Sequence, residues 1–199
     1  MSEKFFQNKQ AIIILIAASL VVLISMGIRQ TWGLFYGFFE TDLGFSRTQF
    51  GLAIAIQMVL WGSLVPIFGL LSDKFGPRRV VAFSFIIYLI GIYLLLQEPK
   101  TVFGFQISLG VLIGIALGGT AVSVPVSAVG KFFSNKNRTI ATGLVTASAS
   151  IGFFLMPIFV KFSNGSYGWK NTLEYFLYFL MFGLLCSLFM LKKEYTDET

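Results

Sequence analysis

The sequence predicts an all-α membrane protein with six transmembrane helices in a single bundle over residues 1–199. Three observations lead there. Of 199 residues, 56% are hydrophobic and only 12% charged, with mean hydropathy +0.80, whereas soluble domains carry about 25% charged residues. The apolar residues fall in runs of about 18 or more, enough to cross the hydrocarbon core. Those runs are continuous rather than alternating, which selects helices over a β-barrel. The net charge of +6 could suggest nucleic acid, but the basic residues sit in short turns between the runs, where they set membrane topology.

The first apolar run begins at Ala11 and, past Arg29, continues to Phe39. Its length exceeds the 7–15 apolar residues of a signal peptide. It predicts one helix over 11–39, roughly 43 Å at 1.5 Å per residue, which crosses with tilt. A turn holding Glu40, Asp42, Gly44 and Ser46 follows. The second helix is expected over 48–72, interrupted by Pro66, and the third over 79–96. A fourth is expected over 101–130, with Gly110, Gly114 and Gly118 forming a small-residue stripe for close packing and Pro125 bending its later part. The fifth, over 139–162, is rich in Ala, Gly and Ser. A turn at 164–170 with interfacial aromatics leads to the sixth, over 172–191.

Orientation follows from the basic residues. Lys4, Lys9, Lys74, Arg78, Arg79, Lys131, Lys136, Arg138, Lys192 and Lys193 fall on one side, and Arg47, Lys100, Lys161 and Lys170 on the other. The richer side is expected to be cytoplasmic, so both termini are placed there. A shift of 91 residues lays Arg47-Thr48 on Arg138-Thr139, Leu64-x-Pro66-Ile67-Phe68 on Leu155-x-Pro157-Ile158-Phe159, and Ser72 on Ser163. It maps the second helix onto the fifth, which cross in opposite directions. That predicts two three-helix units related by an inverted repeat.

The chemistry-bearing residues are few. There is no histidine and one cysteine, Cys186, which removes His-based catalysis, an intrachain disulfide and a Cys-cluster metal site. No cofactor or metal is implied, and an intramembrane enzyme is the least favoured class. Arg29 stands mid-helix, where a charge costs about 2.5–3.5 kcal/mol on insertion scales, so it should face a cavity or a partner. Ser25, Arg29, Trp32, Gly33 and Tyr36 share its helical face. No acid lies at similar depth, so a substrate anion is the natural counter-charge. Gln57 and Trp61, one turn apart on the second helix, are expected to line the same cavity or to pack. Ser123, Ser127, Thr146 and Ser150 rank lower, since small polar side chains in membranes often bond their own helix.

Between the second and third helices stands Gly69-x-x-x-Asp73-Lys74-x-Gly76-x-Arg78-Arg79. It combines a tight Gly-Pro turn with charges that hold a loop at the membrane surface. This order resembles the signature of the major facilitator superfamily of transporters. Gly27 to Phe35, Asp42 to Arg47 and Gly168-Trp169-Lys170 are further similar to its monocarboxylate porter and oxalate–formate antiporter branch. The resemblance implies half of a major facilitator fold, with a second six-helix bundle supplied by further residues or another chain. It implies transport of small organic anions, mono- or dicarboxylates, by alternating access in a bacterial-type inner membrane. Arg29 would contact the substrate carboxylate, with Trp32, Tyr36, Gln57 and Trp61 around it. Gly69, Asp73, Lys74, Gly76, Arg78 and Arg79 would form a cytoplasmic gate. Two departures leave symport and antiport open: no Lys or Arg lies between Lys100 and Lys131, and the fifth helix lacks the proline–glycine motif of antiporters. A porter for sugars or drugs, and a non-transporting scaffold derived from half a transporter, are the rivals.

Overall fold

The computed structural model describes residues 9–133 and 135–190. The predicted positions of Lys4, Lys192, Lys193 and both termini, and the end of the sixth helix at 191, lie outside the described residues. Among those described the chain is helical throughout, without strands. The helices are α1 (Lys9–Gln30), α2 (Tyr36–Thr41), α3 (Arg47–Phe75), α4 (Pro77–Leu96), α5 (Val102–Phe105), α6 (Ile113–Thr120), α7 (Ser123–Gly130), α8 (Asn135–Tyr167) and α9 (Trp169–Ser187). Among the described residues, five stretches are long and apolar enough to cross a membrane: Lys9–Leu34, Arg47–Phe75, Pro77–Leu96, Val102–Gly130 and Asn137–Tyr167. The sixth, α9, opens on Trp169-Lys170-Asn171 and carries Glu174, so its apolar part is shorter.

Several expected helices change in detail, each for a local reason. The first does not run unbroken over 11–39. At Thr31 the backbone tightens into a 3-10 turn, Trp32–Leu34, before α2 begins. The Thr31 hydroxyl donates to the Ile28 carbonyl at 2.7 Å, and its own N–H bonds the same oxygen at 3.0 Å. Side-chain competition of this kind loosens the i to i−4 ladder. Pro66, expected to interrupt the second helix, is carried inside α3, as Pro157 is inside α8. The expected turn at 164–170 contracts to one residue, Gly168, because α8 runs on to Tyr167.

The fourth helix departs most. After α5 comes a π-helical stretch, Gln106–Leu112, then α6, then a break at Ala121 (φ −67°, ψ −161°) before α7. The break lies four residues ahead of Pro125. Proline lacks an N–H and its ring collides with the carbonyl four residues back, and the Ala121 ψ swings that carbonyl away. Ser25 Oγ donates to the neighbouring Thr120 carbonyl at 2.9 Å, tying the break to α1.

The packing obeys the repeat. α1 lies against α8 as α3 lies against the fourth span. α1 also packs on α9 as α4 packs on α6, and α4 meets α9 across the pseudo-symmetry axis. Exchange of the two triplets leaves this pattern unchanged. Gly27 and Gly118, 91 residues apart, both serve as close-approach points. A Cβ on Gly27 would meet Gly152 and Met156 of α8 at 3.1–3.3 Å, and one on Gly118 would meet Phe68 and Leu64 of α3 at 2.8–3.2 Å. Gly110 and Gly114 of the predicted stripe give α3 the same access at Ala53 and Gln57. Burial is uneven: 67% of α1's most apolar window is buried against 11% of α3's and 33% of α8's. The equivalent helices α3 and α8 are therefore the more open ones, and α1 and the fourth span, each with 67% of that window buried, are the inner ones.

Candidate functional site

Arg29 ends α1, half-buried, and reaches across to α3. Its guanidinium lies 4.7 Å from the Trp61 ring centroid, and Nη2 contacts Met58 Sδ at 3.0 Å. A guanidinium over an indole face is a favourable cation–π pair, worth more when water is excluded. Neither contact supplies a negative charge. Arg29 has no acidic partner among the described residues, and its Nε is buried without a hydrogen-bond partner, as is Trp61 Nε1. The cluster thus holds two unpaired N–H donors and a positive charge that meets the Met58 thioether and the Trp61 ring face rather than an acid. A donor set of this kind is chemically suited to an acceptor such as an oxyanion.

The other predicted site residues divide. Gln57 is buried, and its Nε2 donates to the Leu109 carbonyl at 3.0 Å inside the π-helical stretch. There the shifted backbone register leaves carbonyls that need an outside donor. Trp32 is buried against Phe35 and Phe176, with Nε1 unpartnered. Tyr36 stands on α2, its ring tilted against Phe50 and its hydroxyl donating to Glu40 Oε1 at 2.7 Å. Ser25, expected on the same open face, is fully buried. The stripe expected on the first helix is therefore divided: Arg29 and Gly33 look outward while Ser25 and Trp32 point into the bundle. The 3-10 turn causes part of this, since it advances about 120° per residue rather than 100°. Ser123, Ser127, Thr146 and Ser150 are exposed, and Thr146 bonds the Thr142 carbonyl at 3.0 Å, as expected for such residues. Sequence reasoning missed Met58, although it precedes Trp61 by one helical turn and shares its face.

At the α3–α4 junction Gly76 has φ 88° and ψ 147°, ends α3 through its N–H on the Ser72 carbonyl at 2.9 Å, and presents Pro77 as the first residue of α4. Asp73 does not pair with the adjacent arginines. It accepts from Lys131 Nζ at 2.6 Å, joining the ends of α3 and the fourth span. Lys131, counted in the sequence only as a topology charge, is the first basic residue beyond that span. Lys74, Arg78 and Arg79 are exposed, and Gly69 has open space where a Cβ would stand.

Residues 15–199 match the family profile described as Major Facilitator Superfamily. The chain is 30% identical over 160 residues to a probable nitrate transporter, NarT, of Staphylococcus epidermidis, covering 79% of this chain and 39% of that protein. The NarT of Staphylococcus aureus strain JH9 is 28% identical over 156 residues, covering 76% and 38%. The agnestins efflux protein AgnL12 of Paecilomyces divaricatus is 22% identical over 193 residues, covering 95% and 44%. The chain thus spans about two fifths of these relatives' length.

Proposed function

Since this chain belongs to the major facilitator superfamily, an integral membrane transporter family rather than an enzyme family, we propose that it forms the anion-binding half of a secondary transporter working by alternating access. One observation carries the reading: Arg29 lies within the first apolar span with a positive charge, an unpartnered Nε, the Trp61 donor beside it and no acidic partner among the described residues. A single-charge planar oxyanion suits that donor set, because it accepts from the guanidinium fork and lies flat against the indole. Carboxylates are favoured by the residues around Arg29 and the α3–α4 motif. The NarT relatives bring nitrate into the same chemical class. The efflux-named relative supports a different solute as the second reading. A second six-helix bundle against the open faces of α3 and α8 would complete the central cavity. In this reading the Lys- and Arg-rich end of the bundle faces the cytoplasm of a bacterial-type inner membrane.

The test is uptake or binding of formate, acetate and nitrate, each assayed with wild type, Arg29→Gln and Arg29→Lys in the assembled transporter. Loss of a charge-assisted contact of about 1.5–3 kcal/mol predicts a roughly ten- to hundredfold weaker affinity for Arg29→Gln, since 1.4 kcal/mol is tenfold. Arg29→Lys keeps the charge, loses the fork, and is expected to fall between. Unchanged affinity in a folded Arg29→Gln protein would take Arg29 out of the site. Transport of uncharged solutes in place of all three anions would favour the second reading.

A further inference from the structure

An open groove of about 210 Å³ lies between α3 and α4 at the end of the bundle that carries the Gly76 junction, lined by Phe68, Leu71, Phe75, Arg79, Val80 and Phe83. Its walls are apolar except for Arg79. Arg79 from α4 is the cation of the lining, and Lys74 from α3 stands 5.3 Å from the centroid of the Phe75 ring, one of the groove's walls. Arg78 is exposed beside them. The nearest acid in sequence, Asp73, is engaged by Lys131. Neither Lys74 nor Arg79 has an ion-pair partner among the described residues.

The opposite end of the bundle supplies a control within the same chain. Gly168 joins α8 to α9 with nearly the same backbone, φ 84° and ψ 163°. There Lys170 is paired with Glu98, and Trp169 is buried with its Nε1 on Asp42. One junction meets its positive charge and apolar ring from within the protein. The other leaves cations beside an unfilled apolar groove.

We propose that this groove binds one anionic phospholipid, an acyl chain lying along Phe68, Leu71 and Phe83 and the phosphate held by Arg79 and Lys74. The arrangement matches such a lipid in both parts: a hydrocarbon slot parallel to the helices, and cations at its membrane-surface end. The leaflet apposed to the Lys- and Arg-rich end of a membrane protein is the one in which anionic lipids meet those charges. A zwitterionic lipid would fill the slot equally but gain less at the mouth.

The experiment is native mass spectrometry of the purified chain in detergent, titrated separately with dioleoyl phosphatidylglycerol and dioleoyl phosphatidylcholine. The first phosphatidylglycerol is expected to bind several-fold more tightly than the first phosphatidylcholine. Arg79→Gln should weaken phosphatidylglycerol about fivefold, as expected for one basic residue near the surface, while leaving phosphatidylcholine unchanged. Arg79→Lys should restore the preference, separating charge from folding. Leu71→Trp, which fills the slot at a partly exposed position, should weaken both lipids. Equal affinity for the two lipids would overturn the proposal, as would a preference that survives Arg79→Gln or binding indifferent to Leu71→Trp. A homodimer mass with no lipid bound, lost on Leu71→Trp, would overturn it in favour of a second protein copy as occupant.

Discussion

Gly76 and Gly168 each turn the chain between consecutive helices with a backbone near φ +85° and extended ψ, in equivalent places of the two triplets, yet their surroundings are opposite. At Gly168 the junction is closed. Trp169 packs edge-on to Phe39 at 5.6 Å and donates to Asp42 at 2.7 Å, and Phe39 and Phe45 both meet Phe105, at 5.4 and 4.3 Å. That network ties the end of the first helix and its following loop to the fourth and sixth helices at one end of the bundle. At Gly76 the junction is open: the contact across helices is the exposed Asp73–Lys131 pair, and the remaining cations face outward. The same hinge geometry thus supports a closed end and an open end. Under the alternating access proposed above, that asymmetry would let one end hold the triplets together while the charges of the other change partners.

The comparison can be broken first at the backbone they share. Positive φ with extended ψ is a region that residues other than glycine occupy only at a cost of about 1–3 kcal/mol. Gly168→Ala and Gly76→Ala are expected to lower stability by that amount each, read as a thermal midpoint in detergent. A Cβ at Gly168 meets nothing within 4 Å, so a loss there reports conformation rather than collision. Unaltered stability would mean that the junctions are not held in this geometry.

A smaller effect is expected at the closed junction. Trp169→Phe keeps the ring against Phe39 and removes the hydrogen bond to Asp42. Bonds from Trp169 and Thr41 hold the Asp42 carboxyl below its ordinary 3.8. A depressed carboxylate stabilises the fold above its unfolded pKa and loses that contribution as pH falls through the folded value. The difference in midpoint between wild type and Trp169→Phe should therefore be constant above about pH 5 and close as the pH is taken below about 4. A gap independent of pH would assign the effect to ring packing.

The smallest stability effect is expected at the open junction. Asp73 and Lys131 are both well exposed, and such pairs contribute little. Asp73→Asn should move the midpoint by no more than about a degree or two. If the open junction works as the gate, the same substitution should slow transport while leaving substrate affinity within a few-fold. Comparable losses of stability and turnover would make Asp73 a structural residue, and the asymmetry of the two ends would lose its functional meaning.

The all-α membrane class, the positions of the apolar runs and the special character of Arg29 are determined by the sequence alone, because each depends on the bilayer as solvent: a run must be about 20 residues long and a buried charge must have a reason. The Gly76 turn belongs with them, since Gly-Pro has few backbone options. The fate of individual polar residues was decided only by the tertiary structure. Helical spacing placed Ser25, Arg29, Trp32 and Tyr36 on one face and Gln57 beside Trp61, but spacing does not say which neighbour lies over that face. Thr31 alters the rotation of the chain just past Arg29. The fourth span contributes a π stretch whose Leu109 carbonyl takes the Gln57 amide, and a Pro125-driven break whose Thr120 carbonyl takes the Ser25 hydroxyl. The 91-residue shift misses the matching of the two glycine junctions because Ser72 precedes Gly76 by four residues and Ser163 precedes Gly168 by five. Backbone equivalence survives an insertion that residue-by-residue alignment does not, because the junction is set by helix ends brought together in space rather than by distance along the chain.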